Sequence, residues 1–219
     1  MSIPRMILCL VLATTGCEKL RRVEGRAPVT EADAKAASMT GLADGRGMVA
    51  VQRKRAHLLR DTLAKALVLH PQGLCLELGR YPCADTVHLV SLGGAAAYTN
   101  SQYLYPEDVS ITSPTSFDRL VLSACLQRAQ IDLSNTKQAV IFKDIELTVD
   151  GRLVDGEPIR AALDLLYQRG LQRHATEDEI NALRGLYEKV YEAEPVGAAR
   201  NWMVLACFSV IGSVESAFY

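Results

Sequence analysis

Apolar residues along this chain recur mostly at the three- and four-residue steps of an amphipathic helix, with one segment whose composition suits a strand instead. From Met48 to His70, Val51, Leu58, Leu59, Leu63 and Leu67 line up with neighbouring alanines, while Arg53, Lys54, Arg55, Arg60 and Lys65 mark a wet face. Upstream, Thr30 after Pro28 opens a shorter helix that Gly41, Gly45 and Gly47 break. The stretch SPTSFDRLVLSACLQRAQIDLS puts Phe117, Leu120, Val121, Ala124, Cys125 and Ala129 on one helical face. Asp155 or Gly156 before Glu157-Pro158 opens another helix that runs to about Gly170, because proline fits a first turn.

The last quarter carries the firmest local signals. Thr176 and Glu179 stand three apart as a capping box, each side chain able to satisfy an amide left open at the helix start. Ile180, Leu183, Leu186, Tyr187 and Val190 form the stripe that follows, and Glu194-Pro195-Val196-Gly197 ends it. A final helix is expected from Ala198 towards Tyr219. No residue between Arg200 and Glu215 is charged, a length that suits a buried core helix and is too short for a membrane span.

Between these helices the pattern changes. HPQGLCLELGRYPC is punctuated by Pro71, Gly73, Gly79 and Pro82 and reads as a loop with one short strand. Asp85 is placed as the N-cap of a short apolar helix through Val90, stopped by Gly93 and Gly94. Residues 95–114 read as an irregular surface segment rich in turn formers and tyrosine. Val140 to Val149 is β-branched and aliphatic, and Asp150-Gly151 before a short RLV return predicts a hairpin with a type I′ turn. The expected fold is therefore mostly α: a single-domain, helical bundle-like body with a small β-hairpin.

The N-terminus changes the picture of location. The apolar run from Met6 to Gly16 falls well short of the roughly 20 residues needed to cross a bilayer. Arg5, a short apolar stretch and the small residues Ala13, Thr14, Thr15 and Gly16 have the layout of a secretory signal. ATTGC, ending at Cys17, resembles the lipobox of bacterial lipoproteins, with Thr14 where an aliphatic residue is usual. The resemblance implies cleavage before Cys17, acylation of that cysteine and a membrane as partner. It divides the chain into a signal peptide at 1–16, a lipidated tether at 17–28 and a mainly helical globular domain at 29–219. Glu18, not aspartate, follows the cysteine, which by the retention rule of some enterobacteria favours the outer membrane.

Charge adds an exclusion. The chain has 24 basic and 25 acidic residues, and only Arg5 lies ahead of Cys17, so the processed form is close to neutral. That balance gives no clustered basic surface for nucleic acid. Lys19, Arg21, Arg22 and Arg26 sit beside the anchor, interspersed with Glu18 and Glu24, as a solvated tether or a contact for anionic headgroups.

A second resemblance enters at the C-terminal end. YQRGLQRHATEDEINALRGLYEKVY, followed by an apolar helix ending SAFY, looks like a helical domain of unknown function in large secreted haem-containing proteins of planctomycetes and myxobacteria. Tyr167, Arg169, Arg173, Thr176, Glu179, Leu183, Tyr187, Phe218 and Tyr219 carry the match. It implies a shared helical packing unit and a cell-envelope setting. The Cys-x-x-Cys-His haem attachment of those proteins is absent here, so no cofactor and no catalytic residue is carried over.

Four cysteines remain once Cys9 and Cys17 are set aside, and export would place them in an oxidising compartment. Cys75 and Cys83 share one Gly/Pro-rich loop and are the favoured pair, a bridge worth roughly 2 to 3 kcal/mol in the chain-entropy model. Cys125 and Cys207 lie on apolar faces of separate helices, as buried free thiols or a second bridge. Neither Cys-x-x-Cys nor His-x-x-x-His spacing occurs, so no metal site is expected. Asp85, His88 and Ser91 imitate a triad in composition only, because turns of one short helix do not give triad geometry and no nucleophile elbow surrounds Ser91. The SLGG stretch at 91–94 could cradle an anion but lacks the P-loop pattern. Tyr98, Asn100, Gln102, Tyr103 and Tyr105 form the candidate binding surface, against the reading of a tyrosine-pinned loop.

No catalytic centre is evident, and a structural or accessory binding role in the envelope, with an envelope protein as partner, is the expectation. A hydrolase assembled from distant residues is the alternative, and an accessory to an envelope redox system is a third reading by analogy. A concave pocket gathering His88, Asp85 and a distant serine would favour the hydrolase.

Overall fold

A computed structural model describes residues 52–95 and 110–218, all within one compact unit, Ala50–Tyr219. The expected signal, tether, helix at 30–41 and tyrosine-rich segment lie outside the described residues. The architecture is mostly helical with a two-stranded antiparallel hairpin. In order come α1 (Ala56–Leu67), a 3-10 turn (Pro71–Gly73), β1 (Leu76–Glu77), β2 (Tyr81–Pro82) and a π-helical turn (Cys83–Val87). Then follow α2 (Ser113–Ser134), α3 (Glu157–Leu171), α4 (Glu177–Ala193), α5 (Ala198–Ile211) and the short α6 (Val214–Ala217).

The uncharged helix α5 is the hub, packing against α2, α3 and α4, while α1 closes over α2 and α3. Its sequence is apolar on nearly every side, and Ala198, Ala199, Trp202, Met203, Val204, Ala206, Cys207, Val210 and Ile211 are all buried. Trp202 receives Phe142 edge-on at 6.0 Å and Tyr187 at 6.1 Å, and donates its indole N–H to the Leu183 carbonyl at 2.7 Å. That last bond removes the cost of burying an indole nitrogen, so the largest side chain in the core is also fully satisfied. Gly170 lets α3 approach this hub: a Cβ there would stand 2.3 Å from Ile211 Cδ1.

Helix α1 ends under two arginines. Its last carbonyls would be orphaned where Val68 turns left-handed at φ 51°. Ala64 is capped by the chain itself, through the amides of Val68 and Leu69. Arg169 of α3 donates to Ala66 at 2.6 Å and to Lys65 at 2.9 Å. Arg128 of α2 donates to Leu67 at 3.3 Å and to Val68 at 3.4 Å. Cations at a helix C-terminus also complement its dipole.

Arg128 is paired one turn later with Asp132 at 2.6 Å, and both side chains are almost sealed from solvent. Asp132 in turn accepts the amides of Val140, Ile141 and Phe142 at 2.9, 3.1 and 2.9 Å. The backbone at 140–142 therefore spends its N–H groups on a carboxylate and not on a neighbouring strand. The hairpin expected at 140–154 therefore keeps only the end beside its turn, where Leu147 bridges Leu153 and the Thr148 and Val154 amides donate to the Arg152 and Glu146 carbonyls at 2.8 and 3.0 Å. Its turn is also corrected: only Gly151 takes positive φ there, 75°, so Asp150-Gly151 is not type I′.

The two-stranded ladder forms instead at Leu76–Pro82, pairing Leu76 with Pro82 and Glu77 with Tyr81. Leu78 and Gly79 at its tip have φ of 53° and 69°, and Arg80 N–H closes on the Glu77 carbonyl at 3.0 Å. Positive φ at both central positions is the type I′ pattern, which asparagine or glycine enters freely and leucine enters at roughly 1 to 2 kcal/mol.

Three helix limits differ from expectation. Residues 52–55 are not helical, because Arg53 bridges Phe218 and the Lys54 amide binds the Ala217 carbonyl at 2.9 Å. Asp85 is no N-cap but lies inside the π-helical turn, facing His57 and Arg60. The final helix stops at Gly212, where a Cβ would sit 2.6 Å from the Phe208 carbonyl, and α6 follows after Ser213. The capping box at α4 forms as expected, Thr176 and Glu179 exchanging both bonds.

Around that box Arg173 binds Glu179 at 2.7 Å and Glu215 at 3.1 Å and stacks 4.9 Å over Tyr167, joining α3, α4 and α6. Hydrogen bonds from Arg173, then from the Thr176 amide, hold the Glu179 carboxyl down to about 2. A depressed carboxylate adds stability that is present above its unfolded value, near 4.3, and is lost as pH falls through the folded one. Thermal unfolding followed by circular dichroism will show the melting temperature falling as pH drops from about 5 to about 2. Glu179→Gln will melt lower at neutral pH and fall less steeply over that window; an unchanged slope would refute the assignment.

Candidate functional site

Asp85 and His88, singled out in the sequence, are held in the turn beside the start of α1, each with a partner of its own. His57 Nδ1 lies 3.2 Å from Asp85, and Arg60 bonds the same carboxylate and, at 2.8 Å, Asp61. His88 Nε2 lies 3.2 Å from Glu77, which also receives Arg119 at 2.6 Å. Burial opposes ionisation of Glu77, yet hydrogen bonds from Arg119 and His88 outweigh it and hold the carboxyl below its ordinary value.

Asp85 and His88 thus have separate partners. Ser91 donates to the His88 backbone carbonyl at 3.0 Å and meets Ser116 Oγ at 2.8 Å, so its hydroxyl is engaged away from the His88 ring. The Asp85, His88 and Ser91 set has the composition of a triad without its hydrogen-bond order. Nor is the loop at 91–94 an anion cradle. The amides of Leu92, Gly93 and Gly94 bond the carbonyls of His88, Val90 and Leu89 at 2.9, 2.9 and 2.7 Å.

Glu77 is the member that sequence reasoning passed over. It stands in a loop with no motif, and only the fold brings Arg119, 42 residues away, onto it. Cys75, Glu77 and Cys83 come close enough to resemble a ligand set, but the two sulfurs are joined to each other. His174 bonds Asp164 at 3.0 Å and Gln168 at 3.1 Å on an exposed face.

Both cysteine pairs are bridged: Cys75 with Cys83 and Cys125 with Cys207, at Cα separations of 5.4 and 5.7 Å. The first closes the base of the hairpin. The second crosses the core from α2 to α5, with both cysteines fully buried.

A cleft of about 350 Å³ opens between the start of α3 and the outer side of α4. Its lining includes Trp202, Tyr187, Leu153 and Ile159, and Asp155 and Arg184 stand paired at its edge. Tyr187 Oη accepts the Leu153 amide at 2.9 Å, which fixes one wall. Among the described residues no serine, cysteine or histidine lines this cleft, and His88 and Asp85 are not part of it. Its charges are paired, Asp155 with Arg184 and Glu188 with Arg152 outside the lining, so it offers shape and an apolar floor more than a reacting group.

Comparison with known proteins returned no matching family model, no matching curated protein and no matching solved structure.

The two bridges close loops of very different length, 8 and 82 residues apart in sequence. In the chain-entropy model they contribute about 2.5 and about 4.5 kcal/mol. Urea unfolding of the Cys75→Ser/Cys83→Ser and Cys125→Ser/Cys207→Ser variants will show the second pair losing more. Equal losses would show that loop length does not govern the effect.

Proposed function

We propose that this chain is an exported bacterial envelope lipoprotein, held at a membrane by acyl chains on Cys17, whose helical body has a non-catalytic structural or binding role. The carrying observation is the pairing of Cys75, Cys83, Cys125 and Cys207 into two bridges within a body of ordinary size. Such bridges persist in oxidising compartments and are rare in the cytosol, which supports export. ATTGC at residues 13–17 gives that export a specific form.

The anchor and the body divide the work. Each buried acyl methylene contributes about 0.8 kcal/mol, so two or three chains hold firmly without help from the protein surface. No helix among the described residues is long and apolar enough to cross a membrane. A binding role is favoured over hydrolysis by the site geometry: the Ser91 hydroxyl is engaged by the His88 carbonyl and Ser116 and not by the His88 ring, and among the described residues no serine, cysteine or histidine lines the apolar cleft.

Metabolic labelling with radioactive palmitate, followed by fractionation, tests the reading. The native chain is expected to take up label and sediment with membranes. The Cys17→Ser chain is expected to be unlabelled and uncleaved. A native chain that stays unlabelled overturns the proposal.

A further inference from the structure

The hairpin tip combines two features that folding alone disfavours. Leu78 occupies a left-handed position at φ 53°, where asparagine or glycine is the natural choice, and its side chain is 91% exposed. It therefore gains nothing from burial to offset its backbone conformation. Leu76 and Tyr81 in the two strands that flank it are 43% and 45% exposed, on a segment clamped at its base by Cys75–Cys83. Rigid bracing of an exposed, ill-suited leucine indicates a contact made outside this chain.

Charge identifies the kind of surface. Glu77, the acid of the hairpin, is turned onto Arg119 and His88 and is largely covered. Exposed Arg80 lies 5.4 Å over the Tyr81 ring, leaving a cation beside the leucine and the tyrosine. Leucine, tyrosine and arginine together suit a headgroup boundary, where apolar side chains enter, an aromatic ring sits at the interface and a cation meets phosphate.

Chain direction agrees. Arg53, near the start of the described body, binds Ser113 at the first residue of α2, and Arg119 of the same helix binds Glu77. Those α2 positions are about 9 Å apart along the axis. His57 meets Asp85 in the turn that follows the hairpin. Residues 53–57, at the start of the described body, thus lie at the end of α2 from which Arg119 reaches the hairpin.

We propose that the Leu76–Tyr81 tip is an interfacial membrane contact, with Leu78 and Tyr81 entering the headgroup and acyl boundary of an anionic bilayer and Arg80 meeting its phosphates. This rests on the reading that the chain is held at a membrane, and it assigns which face of the body lies against the lipid.

The full-length lipidated protein carrying Leu78→Trp is incorporated into phosphatidylglycerol vesicles with brominated acyl chains. Trp202, fully buried, supplies a background the bromines do not reach. Emission from the introduced tryptophan is expected to fall roughly twofold against non-brominated vesicles, since an interfacial side chain lies within reach of the acyl bromines. Unchanged emission from protein that sediments with the vesicles overturns the tip contact and leaves the anchor standing. Protein that stays in the supernatant overturns both. Leu78→Asn, suited to the turn, is expected to melt ~2–4 °C higher while making trypsin cleavage after Arg80 faster in vesicle-bound protein. Equal cleavage of the two bound forms also overturns the contact.

Discussion

The fold depends on a buried arginine and aspartate on successive turns of α2. Arg128 and Asp132 are 2% and 0% exposed in their side chains, and neither is used only for its partner. Arg128 reaches back to the carbonyls that end α1 and across to Gln138 at 2.9 Å. Asp132 collects the amides of 140–142. One ion pair thereby fixes where α1 stops and where the chain after α2 runs. It also places Phe142 against Trp202. Burying two charges is costly, and Arg128 Nε has no hydrogen-bond partner among the described residues, so the pair is better understood as a positioning device than as a large net gain.

Stability comes mainly from what this device organises. α5 runs through an apolar surround, and the Cys125–Cys207 bridge ties it to the same helix that bears Arg128 and Asp132. The other end of the molecule is held differently. There Glu77, Asp85, Arg60 and Arg119 form exposed and half-buried pairs, each of modest energy in water. The hairpin end carries the exposed Leu78, while Ile111, Val149, Val196 and Val214 are exposed elsewhere on the body.

Long helices were legible because period and caps agreed. Thr176 and Glu179 announced α4, and the uncharged run after Arg200 announced the hub. The hairpin at 140–154 was extended too far at its start for a physical reason. Val140 to Val149 has strand composition, but strand composition does not show that a carboxylate at Asp132 will take its amides. Leu78 was invisible as a turn residue, since leucine almost never signals left-handed backbone. Asp85 looked like a cap because aspartate before an apolar run usually is one; its partners, His57 and Arg60, come from a different helix. Cys75 with Cys83 followed from loop closure, whereas the Cys125–Cys207 bridge needed the packing of α2 on α5 to choose between thiols and a bond.

A double-mutant cycle on Arg128→Met and Asp132→Leu, read by urea unfolding, tests the central claim most directly. Each single change should cost about 3 to 5 kcal/mol by stranding a buried charge. The double should fall short of the sum by about 1 to 3 kcal/mol, with faster hydrogen exchange at Val140, Ile141 and Phe142 whenever Asp132 is gone. Additive losses below about 1 kcal/mol each, with those amides still protected, would contradict it.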